Sequence, residues 1–174
     1  MCALDLNELV ARARRLDEAA FVKANPGVFL VIRGSGDVLA DPGIRTTVRM
    51  DRPRLAPAPH AESVQFTIIP VASRGTSPFS DAVSIGRASE NDIVIQHVTI
   101  SKVHAFFSEA EPGVWMISDH GSTNGTWIAG VRLKPNEPRK LGPNETLGFG
   151  QCQVAFKAAG PLWRFLELER RTGA

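Results

Sequence analysis

Short apolar runs recur along most of this sequence, and they constrain the fold more than any other feature. From Ser63 to Lys157 the runs lie about ten residues apart, between turn residues, as in sandwich folds. Valine, isoleucine, phenylalanine and threonine dominate these runs, which read SVQFTIIPV, AVSIG, DIVI, VHAFF, VWMIS, TWIAG, TLGFG and QVAFK. Such residues fit a pleated, half-buried surface. The pattern therefore predicts an all-β sandwich over residues 63–158.

The segments on either side of this region have a different residue pattern. Residues 1–50 are predicted to form a helical and extended N-terminal extension, with one helix over the first 25 residues and a buried strand at VFLVI. A turn is expected at RGSGD, and a second strand within residues 38–50. Residues 51–62 contain three prolines and predict a linker. Residues 159–174 predict a short helix that begins at Pro161.

Overall composition excludes several classes of protein. The chain has 174 residues, with 20 basic and 18 acidic side chains, so its net charge of +2 does not suggest a nucleic-acid partner. Its two cysteines, Cys2 and Cys152, are far apart and predict no disulfide framework. The sequence has no apolar stretch long enough for a membrane span and no apolar signal region. We therefore expect a cytoplasmic protein without a membrane partner, of unknown oligomeric state.

An enzyme would need a set of catalytic groups, and the candidates are weak. Ser101, His104 and Asp119 suggest a hydrolase triad, but residues three apart at the start of a strand point to opposite faces. The histidines and cysteines lack the spacing of a zinc site. We predict no catalysis, no metal and no cofactor. A basic run is read as a solvated loop; its members are Arg132, Lys134, Arg139 and Lys140.

The stretch DHGSTNGTWIAG, residues 119–130, allows two interpretations. Asn-Gly between apolar runs is a strong hairpin signal, because both residue types tolerate positive φ. Alternatively, the loop holds a ligand. Two upstream segments favour the second interpretation. SIGRASENDIVI, residues 84–95, places Gly-Arg at the end of a strand, and ISKVHAFF, residues 100–107, places Ser-x-x-His at the entry to another.

In this order and spacing, the three segments resemble the forkhead-associated (FHA) domain. The family pattern is Gly-Arg, then Ser-x-x-His, then Asn-Gly, and the resemblance covers residues 63–158. It implies a β-sandwich of two twisted sheets, with loops at one end that bind a phosphothreonine peptide. Carried over to this sequence, Arg87 and Ser101 would contact the phosphate, and Lys102 would add charge.

The resemblance also assigns the remaining motif positions. Thr123 and Asn124 would contact the peptide backbone around the phosphothreonine, whereas Gly86, His104 and Gly125 would be structural. These roles suit the residue types, because a guanidinium donates parallel hydrogen bonds to a phosphate and a side-chain amide can pair with a peptide backbone.

The sequence therefore predicts a phosphothreonine-dependent adaptor that binds phosphoproteins made by a serine/threonine kinase. The alternative is a structural or assembly module on the same fold that binds unphosphorylated protein, for example in a secretion or envelope complex. The presence of Arg87, Ser101 and Asn124 favours the adaptor, since an assembly module would be free to lose them.

Overall fold

The computed structural model describes residues 6–33, 47–49, 65–75 and 82–172. Its helices are α1 (Leu6–Arg15), α2 (Glu18–Ala24) and α3 (Ala159–Thr172). Its strands are β1 (Val28–Arg33), β2 (Thr47–Arg49), β3 (Gln65–Pro70), β4 (Val83–Gly86), β5 (Ile93–Val94), β6 (Ala105–Glu111), β7 (Val114–Asp119), β8 (Thr126–Ile128), β9 (Val131–Arg132), β10 (Arg139–Lys140), β11 (Asn144–Phe149) and β12 (Cys152–Ala158).

The strands form two sheets, which confirms the predicted β-sandwich. In the described ranges the larger sheet has the order β2-β3-β1-β12-β11-β8-β9, and the smaller has the order β10-β7-β6-β4-β5. Phe156 and Leu147 of the large sheet pack with Phe107 and Ile117 of the small one in a shared core. Along β12 the burial alternates as the sequence predicts, because successive strand side chains point to opposite faces.

The VFLVI strand lies inside the large sheet. β1 pairs antiparallel with β12 on one side and with β3 on the other. Its residues are buried on both faces, since Leu30 packs in the sandwich core and Phe29 in a second core outside the sheet. This strand of the predicted extension is therefore built into the sandwich, whereas the division of the chain at residues 50 and 62 stays a prediction.

Helices from both ends of the chain cover the outer face of the large sheet around β1 and β3. Phe21, Phe29 and Leu162 lie in their common apolar cluster, and each is at most 2% exposed. The Trp163 indole donates a hydrogen bond to the Leu16 carbonyl at 3.1 Å. None of the helices in the described ranges is long and apolar enough to cross a membrane.

The prediction of one N-terminal helix is wrong. The chain forms two helices because Asp17 interrupts the first: its carboxylate accepts a hydrogen bond from the Ala20 backbone N–H at 2.8 Å and caps α2. α2 ends at Ala24, and its C-cap Asn25 lies directly before Pro26, which agrees with the predicted end of the helical region at residue 25.

The C-terminal helix begins at Ala159, two residues before the predicted start at Pro161. Proline is tolerated there because the first-turn N–H groups have no partner within the helix.

Several predictions lie outside the described residues. The proline-rich linker and the turn at residues 34–37 are among them. The second strand expected within residues 38–50 is confirmed as β2.

Candidate functional site

Three loops meet at one end of the sandwich, and they carry the residues that the sequence motifs single out. Arg87 follows β4, Ser101 precedes β6, and Thr123 lies between β7 and β8. The Arg87 N–H donates to the Ser101 carbonyl at 3.0 Å, and the Thr123 N–H donates to the Ser101 hydroxyl oxygen at 3.1 Å. Hydrogen bonds to Ser101 therefore hold the other two loops in place.

Two cationic side chains stand at this end without an acidic partner. Arg87 and Lys102 are both exposed, and neither forms an ion pair or side-chain hydrogen bond within the described part of the chain. The Ala88 N–H donates to the Lys102 carbonyl at 3.2 Å, so the loop of Arg87 contacts the backbone of Lys102 directly. An anion that approached this surface would meet cations that no carboxylate of the described residues neutralises.

Gly86 is required by the close approach of two backbone segments. A Cβ at this position would clash with the Lys102 carbonyl oxygen. Beside it, the buried Asn91 donates from its amide to the carbonyls of Ala88 and Lys102, at 2.8 and 2.6 Å. Sequence reasoning missed Asn91, whose only signal is its place in the polar loop before β5.

His104 is fully buried and uses both ring nitrogens inside the protein. Nδ1 accepts the Ser101 backbone N–H at 3.0 Å, and Nε2 lies 3.2 Å from the Gly125 carbonyl, to which it donates. This arrangement assigns a neutral ring with its proton on Nε2. Burial lowers the pKa of His104, against smaller opposing effects of the Gly125 carbonyl and the Asp119 charge. His104 therefore ties two loops of the site together.

A hydrolase triad is not assembled among these groups. His104 receives the backbone N–H of Ser101, while the Ser101 hydroxyl lies against Thr123, 3.5 Å from its hydroxyl oxygen. Residues 101–104 also precede β6 and do not start it, so the strand geometry assumed from the sequence is wrong at this point.

Asp119 organises the loop that follows β7. Its buried carboxylate accepts hydrogen bonds from the Ser122 N–H, the Ser122 hydroxyl and the Thr126 hydroxyl, at 3.0, 2.5 and 2.7 Å. Burial alone would raise the pKa of Asp119, but these hydrogen bonds outweigh it and the pKa is lowered. The carboxylate therefore stays ionised and fixes the loop, a role that sequence reasoning did not assign to it or to Ser122.

The Asn-Gly stretch is not a hairpin. β7 belongs to the small sheet and β8 to the large one, so residues 120–125 connect the two sheets. Gly125 has a φ of +85°, whereas Asn124 is not among the non-glycine residues with positive φ. The hairpin interpretation is therefore wrong, whereas the interpretation that this loop holds a ligand stays a prediction.

Asn124 is exposed, and its amide group already makes one contact inside the protein. Nδ2 donates to the Thr99 carbonyl at 2.8 Å, and the Thr99 hydroxyl accepts the Gln151 N–H at 3.1 Å. One amide hydrogen and the side-chain oxygen of Asn124 remain for other partners. Thr99 is another residue that sequence reasoning missed.

Two curated proteins match about half of this chain. The ABC transporter ATP-binding/permease protein Rv1747 of Mycobacterium tuberculosis is 39% identical over 94 residues, which are 53% of this chain and 10% of the transporter. The chloroplastic zeaxanthin epoxidase of Prunus armeniaca is 31% identical over 88 residues, which are 48% of this chain and 12% of the epoxidase. The chain therefore spans only a small part of either relative.

Solved structures match as well. The NMR-based structure of the FHA-2 domain of Rv1747 is 36% identical, covers 43% of this chain and 66% of that domain, and has a TM-score of 0.36. Mycobacterium tuberculosis EmbR, solved in complex with a low-affinity phosphopeptide, is 16% identical and covers 85% of this chain and 29% of EmbR, with a TM-score of 0.47.

The sequence model of the FHA domain family matches residues 83–150, a range that runs from β4 to the end of β11. This range contains all three motif segments and all the motif residues of the site. The resemblance to the FHA domain family is therefore confirmed over residues 83–150.

Proposed function

We propose that this chain is a phosphothreonine-dependent protein-binding module that acts in serine/threonine kinase signalling. The observation that carries the proposal is the exposed Arg87 guanidinium, which has no ion pair among the described residues and lies on a loop hydrogen-bonded to Ser101. A phosphate group carries about −1.5 to −2 charge at neutral pH and three acceptor oxygens. A guanidinium and a hydroxyl on adjoining loops supply the charge and donors that such a group requires.

The proposal assigns a role to each of five motif residues. Arg87 and Ser101 bind the phosphate, and Lys102 adds positive charge beside them. Thr123 and Asn124 contact the peptide backbone next to the phosphothreonine. Because Asn124 donates one amide hydrogen to Thr99, its remaining N–H and its oxygen face the peptide.

The proposed role is binding and not catalysis. His104 has both ring nitrogens engaged, so it has no free nitrogen to act as a base towards Ser101. The proposed partners are phosphothreonine proteins and the kinase that makes them, and the cytoplasmic location stays a prediction from the sequence. A phosphate-independent assembly module is the alternative that the experiment must distinguish.

The test compares wild type with Arg87→Ala in calorimetric titrations with phosphothreonine peptides that the wild type captures from a degenerate library. Hydrogen bonds to charged groups are worth about 1.5–3 kcal/mol each, so we expect a loss of at least tenfold in affinity. Ser101→Ala should lose less, because it removes a neutral donor.

Arg139→Ala is the matched control, because Arg139 is an exposed arginine on β10, at an edge of the small sheet. It should bind as wild type does. Wild-type binding that survives removal of the phosphate would favour the assembly module, and equal binding by Arg87→Ala would refute the assignment of Arg87.

A further inference from the structure

A second guanidinium lies beside the Asn124-Gly125 turn. Arg132 is on β9, where it pairs with Trp127 of β8 across the edge of the large sheet. A Cβ on Gly125 would lie 2.5 Å from Nε and 3.0 Å from Cζ of Arg132, so the side chain packs directly against the glycine. The cation therefore reaches from the sheet edge to the rim of the proposed peptide site.

The position of this guanidinium is supported on two sides. Its Cζ lies 5.8 Å from the centroid of the Trp127 ring, within the range of a cation–π contact. Gly125 supports the other side, and its buried backbone is fixed by a hydrogen bond from its N–H to the Ser122 hydroxyl at 3.0 Å. An arginine supported in this way loses little side-chain freedom when it binds a ligand.

Arg132 is exposed and has no acidic partner within the described part of the chain. By contrast, Lys134, two residues further on, pairs with Glu137 at 3.6 Å. Contacts with an aromatic ring and a glycine thus orient Arg132, and neither contact neutralises its charge.

We propose that Arg132 binds an anionic side chain of the phosphopeptide, at a position separate from the phosphothreonine, and so selects peptides with an acidic flank. The inference rests on the proposed function of the site. A carboxylate and a second phosphate share the necessary chemistry, because both accept paired hydrogen bonds from a guanidinium.

The experiment uses alanine-rich phosphothreonine peptides in which a single glutamate is moved through the flanking positions. At one position, wild type should bind the glutamate peptide about three- to tenfold more tightly than the all-alanine parent. In Arg132→Gln the ratio of the two affinities should fall to about one. A peptide with phosphoserine in place of the glutamate tests whether Arg132 prefers a second phosphate to a carboxylate at that position.

Lys140→Gln is the matched control, because it removes one exposed positive charge in the other sheet. It should keep the preference for glutamate, and that preference should weaken as salt is raised. Melting temperatures of both variants check that the fold is intact.

The possible failures are distinguishable. If no phosphothreonine peptide binds wild type, the proposed function fails and this inference fails with it. If peptides bind and Arg132→Gln retains the preference for glutamate, or wild type shows none, only the inference is overturned. An equal loss for parent and glutamate peptides would show that Arg132 contacts the phosphothreonine itself, which also overturns it.

Discussion

Replacing His104 with alanine tests whether the histidine of the Ser-x-x-His motif is structural. The substitution leaves the Ser101 N–H without its acceptor and removes a donor from the Gly125 carbonyl. It also removes a fully buried ring that packs edge-on against Phe149, with centroids 5.6 Å apart. Both effects act on the folded state before any peptide binds.

The expected cost can be worked from these contacts. A buried group left without its partner costs about 1–3 kcal/mol. The cavity left by an imidazole adds about 1–1.5 kcal/mol at the usual cost per unit volume. We therefore expect His104→Ala to lower the free energy of unfolding by about 2–4.5 kcal/mol, and the melting temperature by about 4–18 °C.

Thermal and urea unfolding measure this loss, and His120→Ala provides the control. His120 is exposed and contacts Phe106 at its ring edge, so its removal should cost less than about 1 kcal/mol. If His104→Ala melts as wild type does but no longer binds phosphopeptide, the histidine acts on the ligand and the structural assignment is refuted.

The pH dependence of stability provides a second measurement on the same residue. The pKa of His104 is lower in the folded state than its ordinary value of about 6.5, so the unfolded chain binds the proton more readily. Stability from the neutral ring is fully present above about pH 6.5 and is lost as the pH falls below it. Wild type should lose stability in this range, and His104→Ala should lack this dependence.

Three further predictions follow from the site. Asn124→Ala should lower affinity about ten- to a hundredfold for phosphothreonine peptides of unrelated sequence, and Asn124→Asp should lower it more, because a carboxylate repels the phosphate; calorimetric titration checks both. If instead Asn124→Ala binds normally but melts much lower, the residue serves only the loop. Gly86→Ala should destabilise the fold by about 2 kcal/mol or more in urea unfolding, because its Cβ would clash with the Lys102 carbonyl, and an unchanged midpoint would contradict this. The Asp92 carboxylate, outside the site, accepts hydrogen bonds from the backbone N–H groups of Ser84 and Arg74. In Asp92 and in Asp119 burial raises the pKa, but such hydrogen bonds together lower the pKa by more, so stability should fall as the pH drops below about 4, which acid titration by circular dichroism would detect.

The strands and their inward faces can be predicted from the sequence because they depend on local patterns. Val154 and Phe156 alternate with Gln153, Ala155 and Lys157, and the structure buries both Val154 and Phe156. The motif residues could be chosen because Gly-Arg, Ser-x-x-His and Asn-Gly, each a few consecutive positions, together resemble the FHA pattern. Residues such as Asn91 and Thr99, which act through contacts with distant segments, carry no comparable local signal.

The turns show where local patterns stop being sufficient. An Asn-Gly pair indicates a turn that tolerates positive φ, but it does not indicate which strands the turn joins. Here the loop that contains it links the two sheets. Within residues 119–130 the tight hairpin turn lies instead at Ala129 and Gly130, between β8 and β9, with φ values of 47° and 81°. Alanine is not a typical residue for that conformation, so sequence reasoning included this turn in a strand.

The sequence by itself determined that this chain forms a β-sandwich and which residues are candidates for an anion site. Only the tertiary structure decided that VFLVI lies between β3 and β12, and that Arg87, Ser101 and Thr123 meet at one end. The physical reason is that strand formation follows from side-chain alternation over a few residues. Strand order and loop contacts depend on which distant backbone groups pair when both faces of the sheet are buried.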